Sequence, residues 1–230
     1  MKRIFLIISL LSVFMTNGNA QNKNVLFGLK IGPNLNWVST KSTAGNNLGV
    51  QLGYHAGLIM DYRLTNNFYV SSGVNFNYLR LKYQFTDYRL VPNFLEYTNV
   101  CVDRKFQGYY FEIPLKIKAK TEILDSWKPF VEAGVSLSIN NKAKAMDSYD
   151  FHGISIAEET YSDHSNQYRL LQGAIVFGVG TEYVINRNLS FFAQATFDHS
   201  LSNTFISTLA KQTGSDLNTN FVGLEVGILF

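Results

Sequence analysis

Between Leu48 and Arg63 a large side chain falls on almost every second residue: Leu48, Val50, Leu52, Tyr54, Leu58, Met60 and Tyr62. Gly49, Gln51, Gly53, His55, Gly57 and Asp61 stand between them. Alternation of period two over such a length dictates an extended strand whose two faces meet different media, because successive side chains leave a strand on opposite sides. In a soluble sandwich the apolar face turns inward. In a membrane barrel it turns outward to lipid and the polar face lines the interior.

The pattern recurs in eight segments. FGLKIGPNLNW (27–37) carries Phe27, Leu29, Ile31, Leu35 and Trp37 on one face. After Leu48–Arg63 come a third segment from Phe68 to Tyr78, then YYFEIPLKIKAK (109–120) and KPFVEAGVSLSI (128–139). The last three run from Leu171 to Tyr183, from Leu189 to Leu201, and through NFVGLEVGILF at the end of the chain. Their connections alternate in length. Turns at 65–67, 121–128 and 186–188 are short, whereas 39–47, 84–107, 140–167 and 203–218 are long. Short turns at one end and long loops at the other are the layout of an up-and-down outer-membrane barrel. The expected fold is therefore all-β: an eight-stranded antiparallel transmembrane barrel of the small OmpA/OmpX type.

Composition agrees. Of 17 glycines, most fall on the polar face, where a barrel of this size leaves little room for side chains. Aromatic residues collect at strand ends, with Phe27, Tyr62, Phe68, Tyr183 and Phe230 near the short turns and Trp37, Tyr78 and Tyr109 near the long loops. These are expected to form interfacial girdles. Pro33 and Pro114 each remove a ladder hydrogen bond, and a local bulge is expected at both.

The start of the chain, MKRIFLIISLLSVFMTNGNAQ, has Lys2 and Arg3 before an apolar core and ends in Gly18-Asn19-Ala20. It reads as a signal peptide cleaved after Ala20, since its apolar run is shorter than the ~20 residues of a spanning helix. Gln21 in place of Cys argues against a lipoprotein. Residues 1–20 are thus the expected leader and 21–230 one barrel domain, located in the outer membrane. Removing Lys2 and Arg3 lowers the net charge from +3 to +1, which gives no electrostatic case for nucleic acid. The single cysteine, Cys101, has no partner within the chain for a disulfide and reads as a loop thiol.

At this level of detail the chain resembles the PorT-like outer-membrane β-barrel family of Bacteroidetes. FGLKIGPNLNW, YFEIPLKIKAK, KPFVEAGVSLSI and VFGVGTEYVINRNLSFFAQATF carry the resemblance, and Phe230 resembles the C-terminal signal read by the barrel-assembly machinery. The resemblance implies fold and location. One member of that family is tied to protein secretion, but a shared fold is a poor guide to function.

The polar faces supply charges of both signs: Lys30, Asp61, Arg63, Glu112, Lys116, Lys118, Glu132, Glu182 and Glu225. Strand order sets Lys30 beside Glu225 and Glu132 between the lysines and Glu182. Charges removed from water persist only when paired, so a network that plugs the lumen is expected, in a barrel that does not conduct.

Few residues fall in patterns that carry chemistry. Asp198-His199-Ser200 is the best catalytic candidate, but His199 and Ser200 point to opposite faces of a strand, which separates base from nucleophile. Asp163-His164-Ser165 and His152 have no metal-ligand spacing, and Glu158-Glu159 is a single acidic pair. No catalytic, metal or cofactor site is expected. The expected partners are outer-membrane lipid, the assembly machinery during insertion, and a protein reached through loop aromatics such as Tyr88, Phe94, Tyr97 and Tyr149. The expected role is structural or interactive, with an accessory subunit of a secretion or uptake machine and a lipid-modifying enzyme as alternatives.

Overall fold

The computed structural model describes residues 24–40, 45–91, 96–121, 126–158, 160–186, 189–204 and 217–230. The expected leader, Phe94, Glu159 and most of the 203–218 connection lie outside the described residues. Among the described residues there are eleven strands: β1 Val25–Thr40, β2 Gly45–Asn47, β3 Gln51–Arg63, β4 Phe68–Val91, β5 Glu96–Lys120, β6 Trp127–Phe151, β7 Ile154–Ala157, β8 Ser162–Asp163, β9 Leu171–Asn186, β10 Leu189–Ser200 and β11 Leu217–Leu229. Eight of them, β1, β3, β4, β5, β6, β9, β10 and β11, are antiparallel to their neighbours, and β1 pairs with β11 to close the cylinder. At the seam Leu29 lies opposite Ile228, and Phe27 and Phe230 exchange backbone hydrogen bonds of 3.0 and 2.7 Å.

The outer wall is apolar over a band of defined height. Val74, Phe111, Leu115, Val131, Val135, Phe177, Val179, Leu224 and Val226 are exposed on it. From Phe68 to Tyr78 a strand covers about 33 Å at ~3.3 Å per residue, and a tilt of ~40° reduces that to ~25 Å, the height of a membrane-facing belt. One edge of the band carries Phe27, Tyr62, Phe68, Trp127 and Tyr183, all well exposed, with the Trp127 and Tyr183 rings 5.0 Å apart. At the other edge Tyr54, Tyr78 and Tyr109 stand side by side on β3, β4 and β5, with ring centroids 4.9 and 5.1 Å apart. Trp37 stacks on Phe197 at the same end of the barrel.

Beyond that tyrosine row the polarity of the two faces inverts. Leu79, Leu81, Tyr83 and Phe85 now point inward and are buried, while Arg80 and Thr86 are exposed. The segments 84–107 and 140–167, expected to be loops, are instead largely strand. β4 and β5 stay paired without a register shift as far as Val91 and Glu96, on the order of 40 Å along the strand beyond Tyr78. β6 rises beside them to a turn at His152-Gly153, where φ is 50° and 80°. Positive φ at both central residues suits a two-residue hairpin turn, and it returns the chain as β7. Together with β2 and β8, these strands form a tower on the long-strand end.

The prolines correct a second expectation. The register across Pro33 and across Pro114 is continuous, and the Ser72 hydroxyl donates to the Pro114 carbonyl at 2.8 Å. Register shifts fall elsewhere, one at Leu189/Ser190 and one at Tyr109/Tyr110. Tyr109 lies opposite Lys142 but Tyr110 opposite Asn140, so Asn141 is the extra residue and the inward and outward sides of β6 exchange parity above it.

Candidate functional site

Two regions of this barrel hold buried ion pairs among the described residues, the lumen and the interior of the tower. The lumen is formed by the polar alternates of all eight barrel strands. Its crowding follows from glycines: a Cβ on Gly178 would come within 2.7 Å of Glu132 Cγ, and one on Gly53 within 2.3 Å of Asn34 Oδ1.

Within the lumen Lys30 Nζ lies 2.9 and 3.1 Å from the two carboxylate oxygens of Glu225. Glu225 also accepts from Gln194 at 2.5 Å and Thr196 at 3.3 Å, and His55 Nε2 stands 3.0 Å away. Lys116 is paired with Glu132, which also faces Lys118 at 3.5 Å. Lys118 donates to Asp61 at 2.9 Å, and Lys120 bridges Glu182 at 2.7 Å and Asp61 at 3.5 Å. Nearer the tower Glu112 accepts from Asn75 at 2.9 Å and Asn77 at 2.5 Å, and Asp198 accepts from Ser136 at 3.3 Å.

Arg63, expected in this network, is turned to the rim instead. Its guanidinium donates to the Thr65 carbonyl and to Asn66 Oδ1, because at the last residue of β3 the turn offers acceptors closer than the lumen does. The network expected from the sequence left out Lys120, His55, Asn75, Asn77, Gln194 and Asp198. All lie on the inward alternates of their strands, so period and register held the signal for each.

Above the network the mouth is closed by apolar side chains. Leu79, Leu81, Phe106, Tyr110, Tyr168, Leu217 and Phe221 form one buried cluster. Tyr168 reaches it from the segment after the short 3-10 turn Ser165–Gln167, packs 4.5 Å from Phe106, and shares a 2.6 Å hydrogen bond with the Tyr83 hydroxyl. Burial pushes the Tyr83 hydroxyl well above its ordinary pKa, with the neighbouring Tyr168 adding to the effect. Two cavities in the lumen beneath this cluster measure about 20 and 10 Å³, room for single water molecules.

The tower is pinned by one ion cluster. Arg104 on β5 grips both carboxylate oxygens of Asp147 on β6, at 2.6 and 2.7 Å, and Arg89 on β4 binds the same carboxylate. Arg104 also donates to Gln167 Oε1 at 2.6 Å and lies over the Phe85 ring, 4.8 Å from its centre. Burial works against the Asp147 carboxylate, yet the Arg104 and Arg89 guanidinium groups outweigh it and hold its pKa below the usual aspartate value.

Asp147, Glu158 and His164 bring their donor atoms within 4.8 Å of one another. Of the three, Asp147 is already engaged by the Arg104 and Arg89 guanidinium groups, and His164 lies 3.3 Å from the Ser162 hydroxyl. Glu158 accepts from the Asp147 backbone N–H, and Asp163 accepts from Ser165. The Asp198-His199-Ser200 stretch is divided between faces. Asp198 and Ser200 are buried on the inner side, His199 bonds Asn220 at 2.5 Å, and the Ser200 hydroxyl donates to the Ser202 carbonyl at 2.9 Å. Cys101 is exposed on the outer side of the tower, opposite Thr86.

Solved structures of similar shape include Neisserial surface protein A, at 13% identity and a TM-score of 0.42 over 89% of this chain and 97% of that one. The attachment invasion locus protein Ail of Yersinia pestis, solved with the heparin analogue sucrose octasulfate, is 12% identical with a TM-score of 0.40 over 90% of this chain and 100% of that one. The outer membrane protein OprG of Pseudomonas aeruginosa is 12% identical with a TM-score of 0.43 over 91% and 97%. No curated protein matches the chain in sequence. A closed eight-stranded cylinder with a lipid-height apolar belt and a charged interior accords with the one family model matched, over residues 19–206: the chain belongs to the outer membrane protein beta-barrel domain family.

Proposed function

We propose that this outer-membrane barrel is a closed, non-conducting platform that holds the tower of β4, β5, β6 and β7 outside the cell as a contact surface. The packing of the lumen carries the reading. Among the described residues, ion pairs occupy the half nearest the short turns, an apolar cluster seals the other half, and two cavities between them measure about 20 and 10 Å³. Short turns on the periplasmic side and long connections outside are the usual arrangement of such barrels, which sets the tower outward.

Planar-bilayer recording of purified, folded protein tests closure. The expected trace is a silent membrane, and steady ohmic channels would replace this reading with that of a small-solute pore.

An interaction role is favoured over a lipid-modifying enzyme by two local features. His199 and Ser200 each have a bond partner other than the other. Tyr88, Leu90 and Tyr97 are exposed on one face of the tower tip, with the two tyrosine rings stacked 5.7 Å apart. Exposed aromatics of this kind typify contact surfaces. An accessory role in a PorT-like secretion machine is one form such a contact would take. His199→Ala is expected to leave the lipid A mass spectrum of the cell unchanged.

A further inference from the structure

The inversion of polarity at the tyrosine row leaves an unusual set of side chains on the outer wall just above it. Across β4, β5 and β6 the first row reads Tyr78, Tyr109, Lys142, the second Arg80, Gln107, Lys144, and the third Lys82, Lys105, Met146. Lys142 enters the first row because the extra residue Asn141 shifts β6 by one position. Five cations thus share nine adjacent outward positions, with Lys82 directly opposite Lys105. Like charges directly opposite on paired strands destabilise a sheet.

Among the described residues none of the five makes an ion pair within 4 Å, in contrast to the lysines of the lumen. On the register, carboxylates beside the patch are Asp163, opposite Lys144 on β8 and engaged by Ser165, and Asp103 in the next row, engaged by Gln84. The patch therefore keeps a net positive charge. With strands ~4.8 Å apart and outward residues ~6.7 Å apart along each strand, it covers roughly 10 by 13 Å. It begins where the apolar belt ends, at the level of lipid headgroups. The outward-facing side chains of the belt itself, as described, carry no charge.

From this placement we propose that the Arg80, Lys82, Lys105, Lys142 and Lys144 patch binds the phosphorylated headgroup of a lipid in the outer leaflet, with its acyl chains lying along the apolar wall below. Guanidinium and ammonium groups donate to phosphate oxygens in charge-assisted hydrogen bonds. Basic clusters next to a bilayer surface attract anionic lipid in general. A bound phosphate also relieves the Lys82–Lys105 repulsion, which gives the like-charge pair a physical role. The inference rests on the tower facing outward but not on a closed lumen, so bilayer recordings and lipid binding fail independently.

The test is native mass spectrometry of the folded barrel in detergent, offered bisphosphorylated lipid A or the same lipid after phosphatase treatment. The expected result is retention of the phosphorylated lipid on the order of tenfold above the dephosphorylated form. A K82E/K105E variant that still shows the heat-modifiable migration of a folded barrel should lose that preference. A T86E/N99E variant, which also gains two glutamates but near the tower tip, should keep it. Equal retention of the two lipids by the parent protein overturns the proposal without recourse to any variant. So does an undiminished preference in folded K82E/K105E, or displacement of the lipid by an equimolar amount of inorganic phosphate.

Discussion

Lys30 Nζ and Glu225 Oε2 lie 2.9 Å apart across the seam where the first strand of the barrel meets the last, both almost wholly buried. Closure thus sets a charge pair in a space that the same closure removes from water. Leaving one member of a buried pair alone costs about 3–5 kcal/mol. Glu225→Gln is therefore expected to lower the unfolding temperature in detergent markedly more than Asp150→Asn on the exposed tower. Replacing both partners, as Lys30→Met with Glu225→Leu, should recover much of the loss. Thermal unfolding followed by circular dichroism measures all three.

Asp147 gives the tower a pH limit. Its pKa is depressed in the folded protein, so its contribution to stability is present in full above the usual aspartate value of 3.8 and is lost as pH falls through the lower folded value. Amide hydrogen-exchange protection over 84–107, corrected for intrinsic rates, should hold at pH 7 and pH 5 and decline below pH 4. In Asp147→Asn it should already be low at pH 7, because Arg104 is left buried without its counter-charge. Protection in the mutant equal to that of the parent protein would mean that the apolar cluster alone orders the tower.

Cys101 reports which way the tower points. It is exposed opposite Thr86, and a membrane-impermeant maleimide is expected to label it in intact cells. Labelling only after the outer membrane is opened would reverse the orientation. Partial burial, with the Asp103 carboxylate nearby, raises its pKa above the ordinary thiol value. Since the thiolate is the reactive form, the labelling rate should climb by about tenfold per pH unit across neutrality.

The glycines of the wall separate crowded from open positions. A Cβ at Gly53 meets Asn34 Oδ1 and the Tyr78 carbonyl at 2.3 Å, whereas one at Gly173 meets nothing within 4 Å. Overpacking of a filled interior costs about 1–3 kcal/mol. Gly53→Ala should therefore lower folding yield and unfolding temperature, with Gly173→Ala near neutral, as read by the fraction of heat-modifiable band after refolding.

Strand identity, strand order and the choice of face were legible in the sequence, because alternation of period two is a local property of each segment and short turns force neighbours to pair. Lys30 beside Glu225 could be read by the same means, since an eight-stranded cylinder must return its last strand to its first. The tower was not legible as strand. At Tyr78 the apolar alternation of β4 passes from Val74, Phe76 and Tyr78 to Leu79, Leu81, Tyr83 and Phe85, and within one chain that looks like the end of a pattern. In three dimensions the strand continues unbroken, and the surroundings change instead. Below Tyr78 the outside is lipid and the inside holds ions, whereas above it the outside meets headgroups and water and Tyr168 folds over an interior that is mainly apolar around the Arg104–Asp147 pair. The turn of Arg63 to the rim, the bulge at Asn141 and the grip of Arg104 on Asp147 likewise depend on which acceptors and counter-charges packing brings within 3–4 Å. Periodicity along a chain sets the direction of each side chain, but only the assembled walls determine what it meets there.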